Sequence, residues 1–217
     1  MREITMPFGT NGLSASVHGR GGTALLLGHG AGGTRRTPFL VHLAEAVAAS
    51  GRTVVLFNFP YVDAGRKAPD RPEVLEVAVR VAGAQVRERL RARHLVLGGK
   101  SMGGRIASQV VAQGEAADGL LLLGYPLHPA GRPEKQRQAH LPSIRCPMLF
   151  IQGTRDALAH FDLMEPLVSR LGSQATLHVV EGGDHSFALP KRAGRSQSQV
   201  ESEIVGAITG WLDAHRL

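Results

Sequence analysis

The sequence holds a single cysteine, Cys146, in 217 residues. That excludes an internal disulfide framework and any cysteine-rich zinc module. No His-Glu-x-x-His motif and no paired histidines at ligand spacing occur, so neither a metal site nor a cofactor is expected. Long hydrophobic runs are also missing: strings such as Leu120–Leu123 are far too short to cross a bilayer. The opening Met1-Arg-Glu-Ile-Thr-Met-Pro7 carries no apolar leader, and the expected location is cytoplasmic, with no membrane partner. Aromatic residues make up only 5%, beside 43% hydrophobic and 20% charged residues, which is the balance of an ordinary globular chain. Disordered, secreted-disulfide and transmembrane classes are therefore excluded.

Charge of one sign is in modest excess, with a formal net charge of +7. A basic balance can mark a nucleic-acid partner. Here the arginines are dispersed, and the run Arg87–Arg93 alternates with apolar residues as a solvated helix face does. No recognition motif accompanies the charge, so no nucleic acid is expected. The oligomeric state is left open. With a prior of about 150 residues per domain, one domain spanning residues 1–217 is expected.

What is present is alternation. Ala24–Leu27, Thr53–Phe57, Leu95–Leu97, Leu120–Leu123, Met148–Ile151 and Leu177–Val180 are continuous apolar runs of strand length, suited to parallel strands covered on both faces. Between them, Leu75, Val79, Ala82, Val86 and Leu90 share one helical face behind Pro72. Phe39, Leu40, Leu43, Ala44 and Val47 repeat the pattern after Pro38, as do Val200, Ile204, Ile208 and Trp211. The β-then-α order predicts an α/β fold, a doubly wound and mostly parallel sheet with helices on both faces. Asn58–Arg71 and Tyr125–Arg145 read as loops, the second with a short helix around Glu134–His140.

In such a sheet, chemistry gathers in loops at the carboxyl ends of the strands. Gly28-His-Gly-Ala-Gly-Gly33 formally matches a dinucleotide fingerprint, yet the apolar helix stripe begins only at Phe39 and the next strand ends at Asn58. A ribose would need an acidic residue there. Gly99-Lys-Ser101 resembles the end of a phosphate-binding loop, but no earlier glycine opens a cradle. The same residues read as Gly99-Lys-Ser-Met-Gly103, a G-x-S-x-G set between a strand and the helix Gly104–Gln113. That context is a nucleophile elbow.

A serine hydroxyl needs a base, and the base needs an orienting acid, in chain order Ser, acid, His. Asp156 follows the run Met148–Ile151, and His185 follows Leu177–Val180. Asp162 and Asp184 are the rival acids. Met102 and Ala31 would supply the two N–H groups of an oxyanion hole, with Gly32 as the alternative to Ala31. The expected pocket lining is His29, Gly32, Asn58, Tyr61, Lys100 and Tyr125. For His29 the competing role is to brace the glycine loop; for Asn58, Tyr61 and Tyr125 it is packing. Lys100, Arg132 and the Arg66-Lys67 pair are expected to form a positive rim. Cys146 reads as a buried small hydrophobe.

Gly28-His-Gly-Ala-Gly-Gly33, Phe57-Asn-Phe-Pro-Tyr61, Gly98-Gly-Lys-Ser-Met-Gly-Gly104, Gly124-Tyr-Pro-Leu-His128, Gln152-Gly-Thr-Arg-Asp156 and Gly183-Asp-His-Ser-Phe187 together resemble the α/β-hydrolase superfamily. More narrowly they are similar to the dienelactone-hydrolase-related branch that includes testis-expressed hydrolase-like proteins and the third regulatory subunit of the NSL chromatin complex. The resemblance implies Ser101 as nucleophile, Asp156 as acid and His185 as base. The chain departs from dienelactone hydrolases in having serine where they have cysteine. Two functions follow: a serine hydrolase forming an acyl-enzyme at Ser101 on an ester, thioester or related acyl bond, or a non-catalytic scaffold on the same fold. Between Gly124 and Met148 there is no room for a separate cap domain, so an open site for a small, soluble acyl substrate is expected.

Overall fold

The computed structural model describes residues 1–10 and 12–217. Eight strands form one sheet: β1 (Arg2–Met6), β2 (Leu13–His18), β3 (Thr23–Gly28), β4 (Thr53–Phe57), β5 (His94–Lys100), β6 (Gly119–Leu123), β7 (Met148–Gly153) and β8 (Ala175–Val180). Their spatial order is β1-β2-β4-β3-β5-β6-β7-β8. β1 pairs antiparallel with β2, and β2 with β4. From β4 to β8 every pairing is parallel. The helices are α1 (Pro38–Ala49), α2 (Pro60–Asp63), α3 (Pro72–Leu90), α4 (Met102–Ala112), α5 (Phe161–Leu171) and α6 (Gln197–Ala214).

The continuous apolar runs are explained by two cores, one on each sheet face. Successive strand side chains point to opposite faces. Leu120 and Leu122 therefore enter a core with residues of α3, α4 and α5, including Leu75, Val79, Ile106 and Leu167. Leu121 and Leu123 enter the other core with Leu43, Val47, Ile204 and Ile208 of α1 and α6. A fully buried leucine contributes about 1.5–3 kcal/mol, and both faces of the central strands collect that term. Each of α1, α2 and α3 opens on a proline, whose missing N–H costs nothing in a first turn. Ser196 and Gln199 cap α6 reciprocally.

Two segments differ from expectation. Asn58–Arg71 contains the short helix α2 rather than loop alone. The helix expected at Glu134–His140 is absent, and a 3₁₀ turn occupies Leu141–Ser143 instead. Its backbone is used elsewhere: Arg137 N–H donates to the Leu127 carbonyl (2.7 Å), and the Arg137 carbonyl accepts from the Tyr125 hydroxyl (2.6 Å). Those bonds pin the segment in irregular form across the top of the sheet.

Candidate active site

β5 ends at Lys100 and α4 begins at Met102, leaving Ser101 alone at the corner. Its backbone is strained, with φ 51° and ψ −114°, a region that costs a non-glycine residue about 1–3 kcal/mol. The neighbouring glycines make the corner possible. Gly99 has φ +146°, and a Cβ there would stand 2.1 Å from the Gly28 carbonyl oxygen of β3. Ser101 N–H donates to the Leu123 carbonyl (2.9 Å), tying the corner to β6.

The loops after β7 and β8 bring two side chains to this serine. His185 Nε2 lies 2.8 Å from Ser101 Oγ, and His185 Nδ1 lies 2.7 Å from Asp156 Oδ2. The Asp156 carboxylate is fully buried. It also accepts from Gln152 Nε2 on Oδ2 (2.5 Å) and from Leu158 N–H on Oδ1 (2.8 Å). With the acid fixed as acceptor, Nδ1 of His185 carries a proton and Nε2 is free to accept one from serine. The rival acids are engaged otherwise. Asp184 Oδ1 accepts from the Ser186 and Ala188 amides (2.7 and 2.9 Å), and Asp162 is exposed in the first turn of α5.

Beside the serine, the N–H groups of Met102 and Ala31 have no hydrogen-bond partner among the described residues. Both residues border a two-armed cleft whose arms meet at Ala31, Ser101 and Leu158. One arm, about 370 Å³, is lined by Thr37, Phe39, Leu40 and His185; the other, about 290 Å³, by Leu75, Met102, Arg105 and Arg137. Gly32 faces the Tyr61 phenol, whose upward shift by burial its N–H partly offsets.

Most of the expected pocket lining lies one layer further back. His29 is fully buried: its Nδ1 bonds the Gly30 carbonyl (2.8 Å) and its Nε2 accepts from Phe59 N–H (3.1 Å). Burial pushes its pKa down, so it braces the glycine loop as a neutral ring. Asn58 takes Arg35 N–H on its oxygen and donates to Asp63, which in turn accepts from Ser14 N–H. Tyr61 packs edge-on against His29, and Tyr125 against Phe150. None of these four lines the cleft. Their loops needed internal partners more than a pocket needed their side chains.

Lys100 borders the cleft, but its ammonium does not join a rim. Nζ donates to the His185 carbonyl oxygen and sits 5.2 Å from the Phe187 ring centroid. Gly124 leaves it room, since a Cβ there would stand 2.7 Å from Nζ. Burial pushes the Lys100 pKa down to about 8, against the pull of Asp156 and Asp184. Arg66 is ion-paired with Asp70 (2.6 Å), and Lys67 and Arg132 are exposed away from the cleft. The two arginines that line it, Arg105 and Arg137, were missed in the sequence. Arg105 could have been found, because it stands one helical turn after Ser101. Cys146 is half-buried, and burial raises its thiol to about 11.

The lysine has a measurable consequence. Between about pH 8 and 10.5 the unfolded chain still holds a proton that folded Lys100 has released, so stability attributable to this residue rises with pH across that window. Wild type should therefore gain on Lys100→Met as pH is raised from 7 to 10. Denaturant titrations of both proteins at the two pH values check this; parallel curves would contradict it.

A serine at a strained strand-to-helix corner above a doubly wound sheet is the arrangement of the α/β-hydrolase fold, here without an inserted cap. The model of the α/β-hydrolase domain matches residues 21–213, and the chain belongs to that family. Among solved structures, a serine hydrolase without lid from Xanthomonas campestris superposes with a TM-score of 0.76 at 21% identity, over 98% of this chain and 94% of that one. An α/β serine hydrolase homologue from Coxiella burnetii gives 0.76 at 18% identity, covering 97% of each chain. Dienelactone hydrolase from Anabaena variabilis gives 0.74 at 19% identity, over 98% and 97% of the two chains. No helix of the described residues is long and apolar enough to cross a membrane.

Proposed function

We propose that the protein is a serine carboxylesterase-like hydrolase that cleaves an ester, thioester or related acyl bond through an acyl-enzyme at Ser101. The observation that carries this reading is the unbroken chain from Ser101 Oγ through His185 to buried Asp156. In the proposed reaction His185 Nε2 takes the hydroxyl proton as Ser101 Oγ attacks the carbonyl carbon. The Met102 and Ala31 N–H groups receive the negative oxygen, aided by the amino end of α4. Collapse expels the leaving group, which takes its proton from His185. Water then repeats the sequence, with His185 as base, and releases the acid. The wording of the motif blocks supports a place in the dienelactone-hydrolase-related branch. The same reading takes the partner to be a small soluble acyl compound in the cytoplasm.

An organophosphonate should label Ser101 covalently at neutral pH, and mass spectrometry of the digest reads the site. Ser101→Ala should lose both label and turnover of a chromogenic short-chain ester. Label on another serine would overturn the assignment of Ser101, and no label on folded protein would leave the scaffold reading in its place.

The cleft arms are open, and the 23 residues between Gly124 and Met148 hold no inserted domain. In an ester series of increasing acyl length, rate should peak at short chains and show no jump when the longest ester aggregates. Activation at the aggregate surface would mean that the segment 125–145 closes over the serine.

A further inference from the structure

The protein matches its buried guanidinium groups with carboxylates, with one exception. Arg35 pairs with Glu3 (2.7 Å), Arg80 with Glu115 (2.9 Å), Arg87 with Asp118 (3.3 Å), and Arg52 with Asp213. Those four and Arg105 are the buried or half-buried arginines among the described residues. Arg105 has no carboxylate partner, and its one side-chain bond goes to the neutral Gln109 oxygen (3.0 Å). An unmatched guanidinium withdrawn from water is costly, and here a second one stands close by. Burial and the positive charge of Arg137 both hold the Arg105 pKa below its ordinary value, opposed only by the more weakly acting Tyr125 and Glu76. The Arg137 guanidinium has no partner of its own among the described residues.

Both arginines line the same arm of the cleft, next to Ser101 and Met102. Arg105 is fixed there by the helix. Its N–H bonds the Ser101 carbonyl (3.0 Å), which sets Arg105 one turn after the serine on the same helix face, and both residues line the arm. Asp70 also borders this arm. Its Oδ1 is taken by Arg66, while its Oδ2 is buried with no hydrogen-bond partner. The Arg66 charge offsets Asp70, which leaves the arm with the surplus of Arg105 and Arg137.

We infer that this arm is an anion subsite, in which Arg105 and Arg137 hold a carboxylate carried by the acyl substrate away from the bond that is cut. The inference rests on the hydrolase reading and narrows it to esters of carboxylate-bearing compounds. A planar carboxylate fits guanidinium donors in pairs, and its single charge suits an arm that Asp70 also borders, where a phosphate dianion would meet repulsion. The pair acts before and during attack: it fixes the distance between the substrate's anion and Ser101, and so orients the carbonyl.

The test compares 4-nitrophenyl hemiglutarate with 4-nitrophenyl butyrate and with a matched ester bearing a trimethylammonium group, and repeats the comparison with the charge on the leaving group. In at least one series kcat/KM should be highest for the carboxylate and lowest for the cation. The carboxylate-to-neutral ratio should fall tenfold or more in Arg105→Gln and in Arg137→Gln, and recover in part in Arg105→Lys. Calorimetry on Ser101→Ala protein reads the subsite without turnover: the amide analogue of the hemiglutarate should bind, and should bind at least tenfold more weakly once either arginine is replaced. Arg137 is exposed, so its replacement tests the idea even where Arg105→Gln fails to fold. Equal preference for neutral and anionic esters with Ser101 still labelled by phosphonate would overturn the subsite alone. Loss of all turnover with charge-dependent binding retained would overturn the hydrolase reading and keep the subsite.

Discussion

Asp156→Asn should leave the protein folded and lower kcat by about 10⁴-fold, the scale seen when the acid of a Ser–His–Asp set is neutralised. The physical reason lies in the donors around Asp156. Gln152 Nε2, Leu158 N–H and His185 Nδ1 all point at its two oxygens. An asparagine has one acceptor oxygen and an NH₂ group. If its oxygen stays on Leu158, the NH₂ faces Gln152 and His185, and the imidazole must turn its lone pair to Nδ1. Its proton then sits on Nε2, where it cannot accept from Ser101. If the amide turns the other way, its NH₂ meets the Leu158 N–H with no acceptor between them. The second arrangement keeps the imidazole tautomer but sets two donors against each other, so the first is favoured, and it costs the site its base. Steady-state kinetics with a chromogenic ester, alongside thermal melts, separate this loss from unfolding. Retained activity in Asp156→Asn, with collapse in Asp184→Asn or Asp162→Asn, would place the acid elsewhere.

Much of this site was legible because the fold ties chemistry to strand ends. Ser101, Asp156 and His185 each follow a run of apolar residues, and those runs are the strands β5, β7 and β8. What the runs concealed was the alternation between faces, since a strand covered on both sides shows no period of two. β1 and β2 escaped for the opposite reason. β1 is a short edge strand with exposed positions, and β2, though buried between β1 and β4, alternates Leu13, Ala15 and Val17 with Ser14, Ser16 and His18, so neither shows a continuous apolar run. α5 was passed over because Pro166 interrupts its helical reading. The cleft was the least legible part. Its walls come from segments whose course depends on long-range bonds, such as the pair that fixes Arg137 between Leu127 and Tyr125. His29, Asn58 and Tyr61 follow strand ends as catalytic residues do, yet they are spent on holding the glycine loop in place. Position at a strand end identifies a residue near the chemistry; only the hydrogen bonds decide whether it faces the substrate.

The same substitution in two helices should give opposite results, and the contrast tests how the elbow is built. Gly103 and Gly206 both lie inside helices, α4 and α6. On helix propensity alone, alanine should stabilise either by up to about 1 kcal/mol. For Gly206 nothing stands within 4 Å of the added Cβ, so Gly206→Ala should be neutral or more stable by that amount. For Gly103 the Cβ would meet the Gly28 carbonyl oxygen at 2.3 Å and its carbon at 2.5 Å. That obstacle is main chain of β3, held on both sides by parallel pairing to β4 and β5, and it cannot turn aside as a flexible side chain would. Overpacking of this kind costs about 1–3 kcal/mol or more, enough to outweigh the gain in propensity. The damage should also reach the chemistry. Gly28 leads directly into the loop that carries Ala31, so pushing β3 away from α4 separates the Ala31 and Met102 N–H groups that the proposed oxyanion hole requires together. Gly103→Ala should therefore lose stability in denaturant titrations, and any folded fraction should show a lower kcat with Ser101 still present. Equal stability of the two alanine variants would mean that α4 and β3 are free to move apart, and that the close approach at Gly28 does not hold the elbow.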